Sequence, residues 1–147
     1  MRLYLADSSI WIGARRNPGS YLPDLLADRV EDDAVATCVP VALEVLTGPP
    51  TAGELESEWR AVWQRLRWLA VTEAIMERAL ALLRGLAATT EGAHRRRPID
   101  YIVAACSEAH EVVLWHWDDD FRVICDFAGI PHEAEHERAK AAGLALR

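Results

Sequence analysis

Short apolar runs alternate with stretches of helical spacing along this chain, and that alternation restricts its fold more than any other feature. Leu3 to Ala6, Ala34 to Thr37, Trp68 to Val71 and Val112 to Trp115 are too short for helices and read as buried strands. Between them lie helical segments. Ile10 to Gly13 and Tyr21 to Val30 follow the first strand, and Val39 to Leu46 follows the second, opened by Pro40 and stopped by Gly48-Pro49-Pro50. Leu55, Trp59, Val62 and Leu66 make one amphipathic stripe, and Ile75, Ala79, Leu82, Leu83 and Leu86 make another. Pro98 opens a helix with Ile99, Ile102, Val103 and Cys106 on its buried face. Phe121 to Phe127 and the polar segment Glu133 to Ala142 predict the last two helices. Such a pattern predicts an α/β domain, three layers α/β/α, with a mainly parallel central sheet. Sheets of this kind bind ligands beyond the carboxyl ends of their strands. Asp7 and Asp118 fall there.

Composition limits the alternatives. With 147 residues, 51% hydrophobic and 27% charged, the chain is expected to form a single domain over 1–147 with its own core. A net charge of −7 argues against a general nucleic-acid coat protein. It leaves room for an enzyme that gathers acids around a cation, which reverses the local sign. Cys38, Cys106 and Cys125 are widely spaced among apolar neighbours and predict buried, reduced thiols. The first residues reach Asp7 too soon for a signal peptide, and no apolar run approaches the roughly 20 residues that span a bilayer. A soluble cytoplasmic protein is expected. The basic residues are fifteen Arg and one Lys, Lys140.

Carboxylates stand where chemistry is expected. Asp7, after the first strand, reads either as a helix cap or as a ligand. Glu44 lies among Val41, Ala42, Leu43, Val45 and Leu46, with no basic residue within a turn, so it needs a cation or a tertiary ion pair. Asp100 is in the first turn of the Pro98 helix, where the dipole favours an anion. Asp118 and Asp120 flank Asp119 and are predicted to share a face while Asp119 looks outward. Acids brought together repel unless a cation separates them. Oxygen ligands without nearby His or Cys clusters point to Mg²⁺, with Mn²⁺ able to take its place.

Four stretches carry a family resemblance: Leu5-Ala6-Asp7-Ser8-Ser9-Ile10-Trp11-Ile12, Val41-Ala42-Leu43-Glu44-Val45-Leu46-Thr47-Gly48, Ile99-Asp100-Tyr101-Ile102-Val103-Ala104-Ala105 and Leu114-Trp115-His116-Trp117-Asp118-Asp119-Asp120-Phe121. In order, spacing and total length the chain resembles the PIN-domain family, and within it the VapC-type toxins of toxin–antitoxin pairs. The resemblance implies that Asp7, Glu44, Asp100 and Asp118 are the catalytic acids and bind Mg²⁺ or Mn²⁺, with Asp120 as a further metal ligand. It also places Ser8 beside metal-bound water or substrate. It implies hydrolysis of RNA phosphodiester bonds by metal-activated water, a homodimer and an antitoxin partner.

RNA must still approach an acidic protein. Arg15 and Arg16, and the loop His94 to Arg97, are candidate basic edges, with Arg95, Arg96 and Arg97 as substrate-binding residues. Trp63, Trp68, Trp115 and Trp117 offer stacking faces; Trp117, beside Asp118, is the candidate for substrate contact, and Trp63 and Trp68 are expected in the core or a dimer contact. His116 reads as structural. Receiver domains and haloacid-dehalogenase-like phosphatases need a lysine near their acids, and Lys140 lies in the polar tail. No GxxxxGK[ST] phosphate loop occurs. The remaining alternatives are an RNA-processing nuclease of the same family without an antitoxin, and a non-catalytic binding protein. Retention of all four acids argues against the second.

Overall fold

The computed structural model describes residues 1–144. Its strands are β1 (Tyr4–Ala6), β2 (Val35–Thr37), β3 (Arg67–Trp68), β4 (Val113–His116) and β5 (His132–Ala134). Its helices are α1 (Ser8–Arg16), α2 (Leu22–Glu31), α3 (Val39–Leu46), α4 (Ala52–Ala61), α5 (Glu73–Ala87), α6 (Pro98–Ala109), α7 (Asp119–Ala128) and α8 (Glu135–Ala141). All five strands pair in parallel in the order β3-β2-β1-β4-β5. Leu5 lies opposite Ala36 on one side and Leu114 on the other, and all three are buried.

This order carries the functional geometry. The chain steps outward from β1 through β2 to β3, then returns across the sheet to β4 on the opposite flank of β1. Parallel crossovers are right-handed, so the outward and return excursions put their helices on opposite faces. Accordingly α1 packs on α2, while α5, α6 and α7 pack on one another. A three-layer α/β/α sandwich results, with Leu5, Leu114, Trp115, Ile10, Val103 and Phe121 in its core. Where the excursions diverge, beyond the ends of β1 and β4, a crevice opens that no crossover covers.

Several elements differ from expectation, each for a local reason. Helix α1 continues past Gly13 to Arg16. Gly13 serves close packing there, because a Cβ would lie 3.3 Å from Leu22 and 3.5 Å from Trp117. The stripe ending at Leu66 breaks at Val62 into a tight turn over Trp63–Arg65, which buries Trp63 completely. Strand β3 is two residues long and begins at Arg67; Leu69 then donates its N–H to Thr37 O at 2.8 Å. Helix α7 begins at Asp119, two residues early, because Asp118 caps it. The expected final helix is divided: His132–Ala134 pair with β4, and α8 starts only at Glu135. All three cysteines are buried free thiols, and among the described residues no helix is long and apolar enough to cross a membrane.

Helix α8 is pinned through a buried acid. Glu135 is fully enclosed and accepts hydrogen bonds from Trp115 Nε1 at 2.6 Å, Tyr21 Oη at 2.7 Å and Arg138 Nη2 at 2.7 Å. Alongside it the Arg29 guanidinium lies over the rings of Tyr4 and Trp115, 4.0 and 4.1 Å from their centres, and pairs with Glu133 at 2.8 Å. Burial raises the pKa of Glu135, but its donors outweigh that and hold the carboxyl below its usual range. A buried ion pair that loses one member strands the other, at a cost of about 3–5 kcal/mol. Glu135→Leu is therefore expected to lower the unfolding free energy by that order in urea denaturation. A loss under ~1 kcal/mol would show that the network anchors nothing.

Candidate metal centre

Three helix N-termini converge beyond β1 and β4. Asp7 leaves the end of β1 as the N-cap of α1, its Oδ2 accepting the Ser9 N–H at 2.9 Å. Asp118 leaves the end of β4 as the N-cap of α7, its Oδ1 accepting the Asp120 N–H at 2.9 Å. The strands are tied at this end by a hydrogen bond from Asp7 N to Trp115 O at 2.9 Å. Pro98 starts α6 and places Asp100 in its first turn. One oxygen each from Asp100, Asp118 and Asp120 lie within 4.8 Å of one another.

The capping bonds occupy one oxygen each of Asp7 and Asp118. Asp7 Oδ1 and Asp100 Oδ2 are buried without any hydrogen-bond partner. An unmet buried carboxylate oxygen costs about 1–3 kcal/mol or more, and a cation received in the crevice would relieve that cost at both. The helix dipole favours ionised Asp100, yet its carboxyl is pushed up to about 7, by burial first and then by the charge of Asp7, with Asp118 and Asp120 adding and Arg97 opposing. Burial also raises Asp7 against the hydrogen bonds from Ser9 and Ser8, and the charge of Asp118 adds to it. Repulsion and desolvation outweigh the dipole. Clustered hard oxygens with unused lone pairs fit a divalent cation of the Mg²⁺ or Mn²⁺ type.

The other expected site residues divide between this cluster and its rim. Asp119 points to solvent, as expected, although the cause is a helix turn and not an extended one. Glu44 is held one step away: its carboxylate accepts Ser8 Oγ at 3.2 Å and pairs with Arg97. Its helix is apolar around Glu44 as expected but is not buried on every side, since Val39 and Leu43 are exposed. Arg96 pairs with Asp120, whereas Arg95 is exposed with no ion pair among the described residues. Ser8, Glu44, Arg97 and Trp117 line a cleft of about 400 Å³ with Arg16 and Asn17. Arg15 is turned away and pairs with Glu58 at 2.9 Å. Trp63 and Trp115 are fully buried and unavailable for stacking, and Trp68 lies against Trp59 and Trp63.

One contribution went unforeseen, and the structural role expected of His116 takes a specific form. Ser9 donates its N–H to the Asp7 cap and accepts Trp117 N–H on its Oγ at 3.0 Å, joining the two strand ends. The signal was present in the serine pair following Asp7. His116, fully buried, accepts the Asp118 N–H on Nδ1 at 3.3 Å, so its proton sits on Nε2 and is donated to His132 Nδ1 at 2.9 Å; His132 in turn donates to Asp126 at 2.8 Å. Burial, then the neighbouring His132, hold the His116 pKa near 3, leaving a neutral ring that positions Asp118.

A parallel α/β domain with carboxylates gathered at its topological switch point is the class that fold and site define. Comparison with known proteins narrows it. The PIN domain family model matches residues 4–126, and the chain belongs to that family. Among solved structures, DNA-bound VapBC from Salmonella typhimurium is 15% identical with a TM-score of 0.67, covering 91% of this chain and 98% of that one. VapBC2 from Rickettsia felis, bound to a promoter DNA fragment, is 17% identical with a TM-score of 0.64, covering 90% and 98%. A comparison with curated protein sequences gives no match.

The raised Asp100 pKa sets a pH dependence. Between pH about 4 and about 7 the folded protein keeps a proton that the unfolded chain has released, so stability falls as pH rises through that window. In metal-free buffer the unfolding free energy should drop by a few kcal/mol over that range, and Asp100→Asn should flatten the slope. Denaturant titrations across the range check both; an unchanged slope in the variant would remove Asp100 as its source.

Proposed function

We propose that this chain is a divalent-cation-dependent endoribonuclease, the toxin of a toxin–antitoxin pair. One observation carries the reading: Asp100, Asp118 and Asp120 present oxygens within 4.8 Å, beside the partnerless buried oxygens of Asp7 and Asp100. Membership of the PIN domain family supports a nuclease, and the likeness to two VapBC complexes supports the toxin assignment.

In this reading Asp7, Asp100, Asp118 and Asp120 hold Mg²⁺ or Mn²⁺, and Glu44 completes the acidic set from the cleft wall. A divalent cation bound there would supply Lewis acidity toward the phosphate and lower the pKa of water near it. Ser9 and Asp120 N–H fix one oxygen of Asp7 and of Asp118, leaving the other free to bind. His116 holds the backbone of Asp118 at the end of β4. Arg16, Arg97 and Trp117 give the cleft two cations and an aromatic face, a combination that suits single-stranded RNA. Ser8 orients Glu44. No side-chain nucleophile is needed. Exposed Val39 and Leu43 on α3 and Met76 and Leu80 on α5 are apolar side chains available to an antitoxin or a second copy of the chain.

The test pairs cleavage with binding. The parent should cut a cellular RNA pool with Mn²⁺ or Mg²⁺ and not with EDTA, and Mn²⁺ should raise its melting temperature. Asp100→Asn and Asp118→Asn should fold, lose the thermal gain and lower cleavage by at least ~100-fold, about 2.7 kcal/mol of barrier. Parental cleavage by either variant would refute the assignment.

A further inference from the structure

We infer that Arg96 and Arg97 are built-in counter-ions of the acidic crevice, which exchange from its carboxylates to the substrate phosphodiester when a divalent cation binds. The inference rests on the nuclease reading and adds how metal and RNA binding are linked.

Both guanidinium groups are seated on acids of the site and on no others among the described residues: Arg96 on Asp120, Arg97 on Glu44. The loop that carries them is held in place independently of those pairs. Tyr101 Oη donates to His94 O at 2.8 Å, Arg96 N–H donates to His94 O at 2.8 Å, and Arg96 Nε donates to Ala93 O at 3.0 Å. Arg97 is also the N-cap residue of α6, three positions before Asp100. The loop therefore delivers two cations to the crevice whether or not the ion pairs form.

Charge balance gives the exchange its direction. Five carboxylates meet two guanidinium groups, and the shortfall shows in the buried oxygens of Asp7 and Asp100 that have no hydrogen-bond partner. A dication held by Asp7, Asp100, Asp118 and Asp120 would satisfy the orphaned oxygens and would place two further positive charges beside Arg96 and Arg97. Like charges at such range repel strongly where water is partly excluded. Arg97 is half exposed at the wall of the 400 Å³ cleft, so its guanidinium has open space to enter. A planar fork freed from a carboxylate is matched to the two oxygens of a phosphodiester. Arg95, in the same loop but exposed and unpaired among the described residues, has no carboxylate to release. Linkage is reciprocal: the dication frees the arginines for RNA, and bound RNA stabilises the freed arrangement and hence the dication.

The test titrates Mn²⁺ alone into RNA-free protein by calorimetry. Arg97→Gln and Arg96→Gln should each bind Mn²⁺ about tenfold more tightly than the parent, while Arg95→Gln should gain less and Arg97→Lys, which keeps the charge, should stay near the parent. In parallel, anisotropy of a short labelled single-stranded RNA, checked intact on a gel, should show tighter binding in Ca²⁺ than in EDTA for the parent, and a smaller gain for Arg97→Gln. Unchanged or weaker Mn²⁺ binding in both glutamine variants, or an undiminished Ca²⁺ gain in Arg97→Gln, overturns the exchange. Asp100→Asn separates the two layers of argument. If it binds Mn²⁺ as the parent does, the metal centre itself is misassigned; if it loses Mn²⁺ while the arginine variants gain nothing, the exchange alone fails.

Discussion

Carboxylates held close together against their own repulsion set the character of this molecule. Asp7, Asp100, Asp118 and Asp120 are brought to one crevice by the parallel sheet and by three helices whose first turns point inward. Helix N-termini supply partial positive charge and N–H donors, which is why the chain can fold with these acids adjacent at all. The compensation is incomplete. Each capped acid has one oxygen satisfied by the backbone, and the residual cost appears as protonation and as unmet lone pairs.

A second buried acid in the same fold shows what full compensation looks like. Glu135 is as enclosed as Asp100, yet Trp115, Tyr21 and Arg138 occupy its oxygens and keep its carboxyl ionised. Both acids are approached through β4, one from Trp115 within the strand and the other from Asp118 beyond it. Burial is common to the two; satisfaction is not. The acid that stabilises has its partners inside the chain. The crevice acids keep oxygens without partners, at a cost in stability, as a site for a group from outside would require.

The sequence displays the centre of this fold better than its edges. Strands β1, β2 and β4 are flanked on both sides, so they must be apolar runs, and they read as such. Strands β3 and β5 each have one neighbour. They can be short and polar: Arg67-Trp68 is nearly hidden, and His132-Glu133-Ala134 looks like the start of a helix. The acids at the ends of β1 and β4 are legible because a strand end followed by a helix start is a local pattern. What Arg97 pairs with is not, since Glu44 is fifty-three residues away and their meeting depends on how α3 packs against α6. Gly13 shows the same limit: in isolation it reads as a helix stop, and only the approach of Leu22 and Trp117 reveals it as a packing site.

The negative net charge also takes on a different meaning once the charges are placed. A polyanion meeting a −7 protein is repelled at long range, but on the proposed nuclease reading the potential that would govern cleavage is the one inside the cleft. There Arg16 and Arg97 face Glu44, with Arg96 behind on Asp120, and the total depends on whether a dication is present. Without it the crevice is acidic and its arginines are engaged. Under the inferred exchange, a bound dication would reverse the sign at the centre and the same arginines would face outward. On the proposed nuclease reading, this arrangement would give selectivity, because attraction would be confined to the place and the state in which phosphate can be attacked. The acidic surface elsewhere would then oppose unproductive contacts, so the overall charge and the local charge would serve that function with opposite signs.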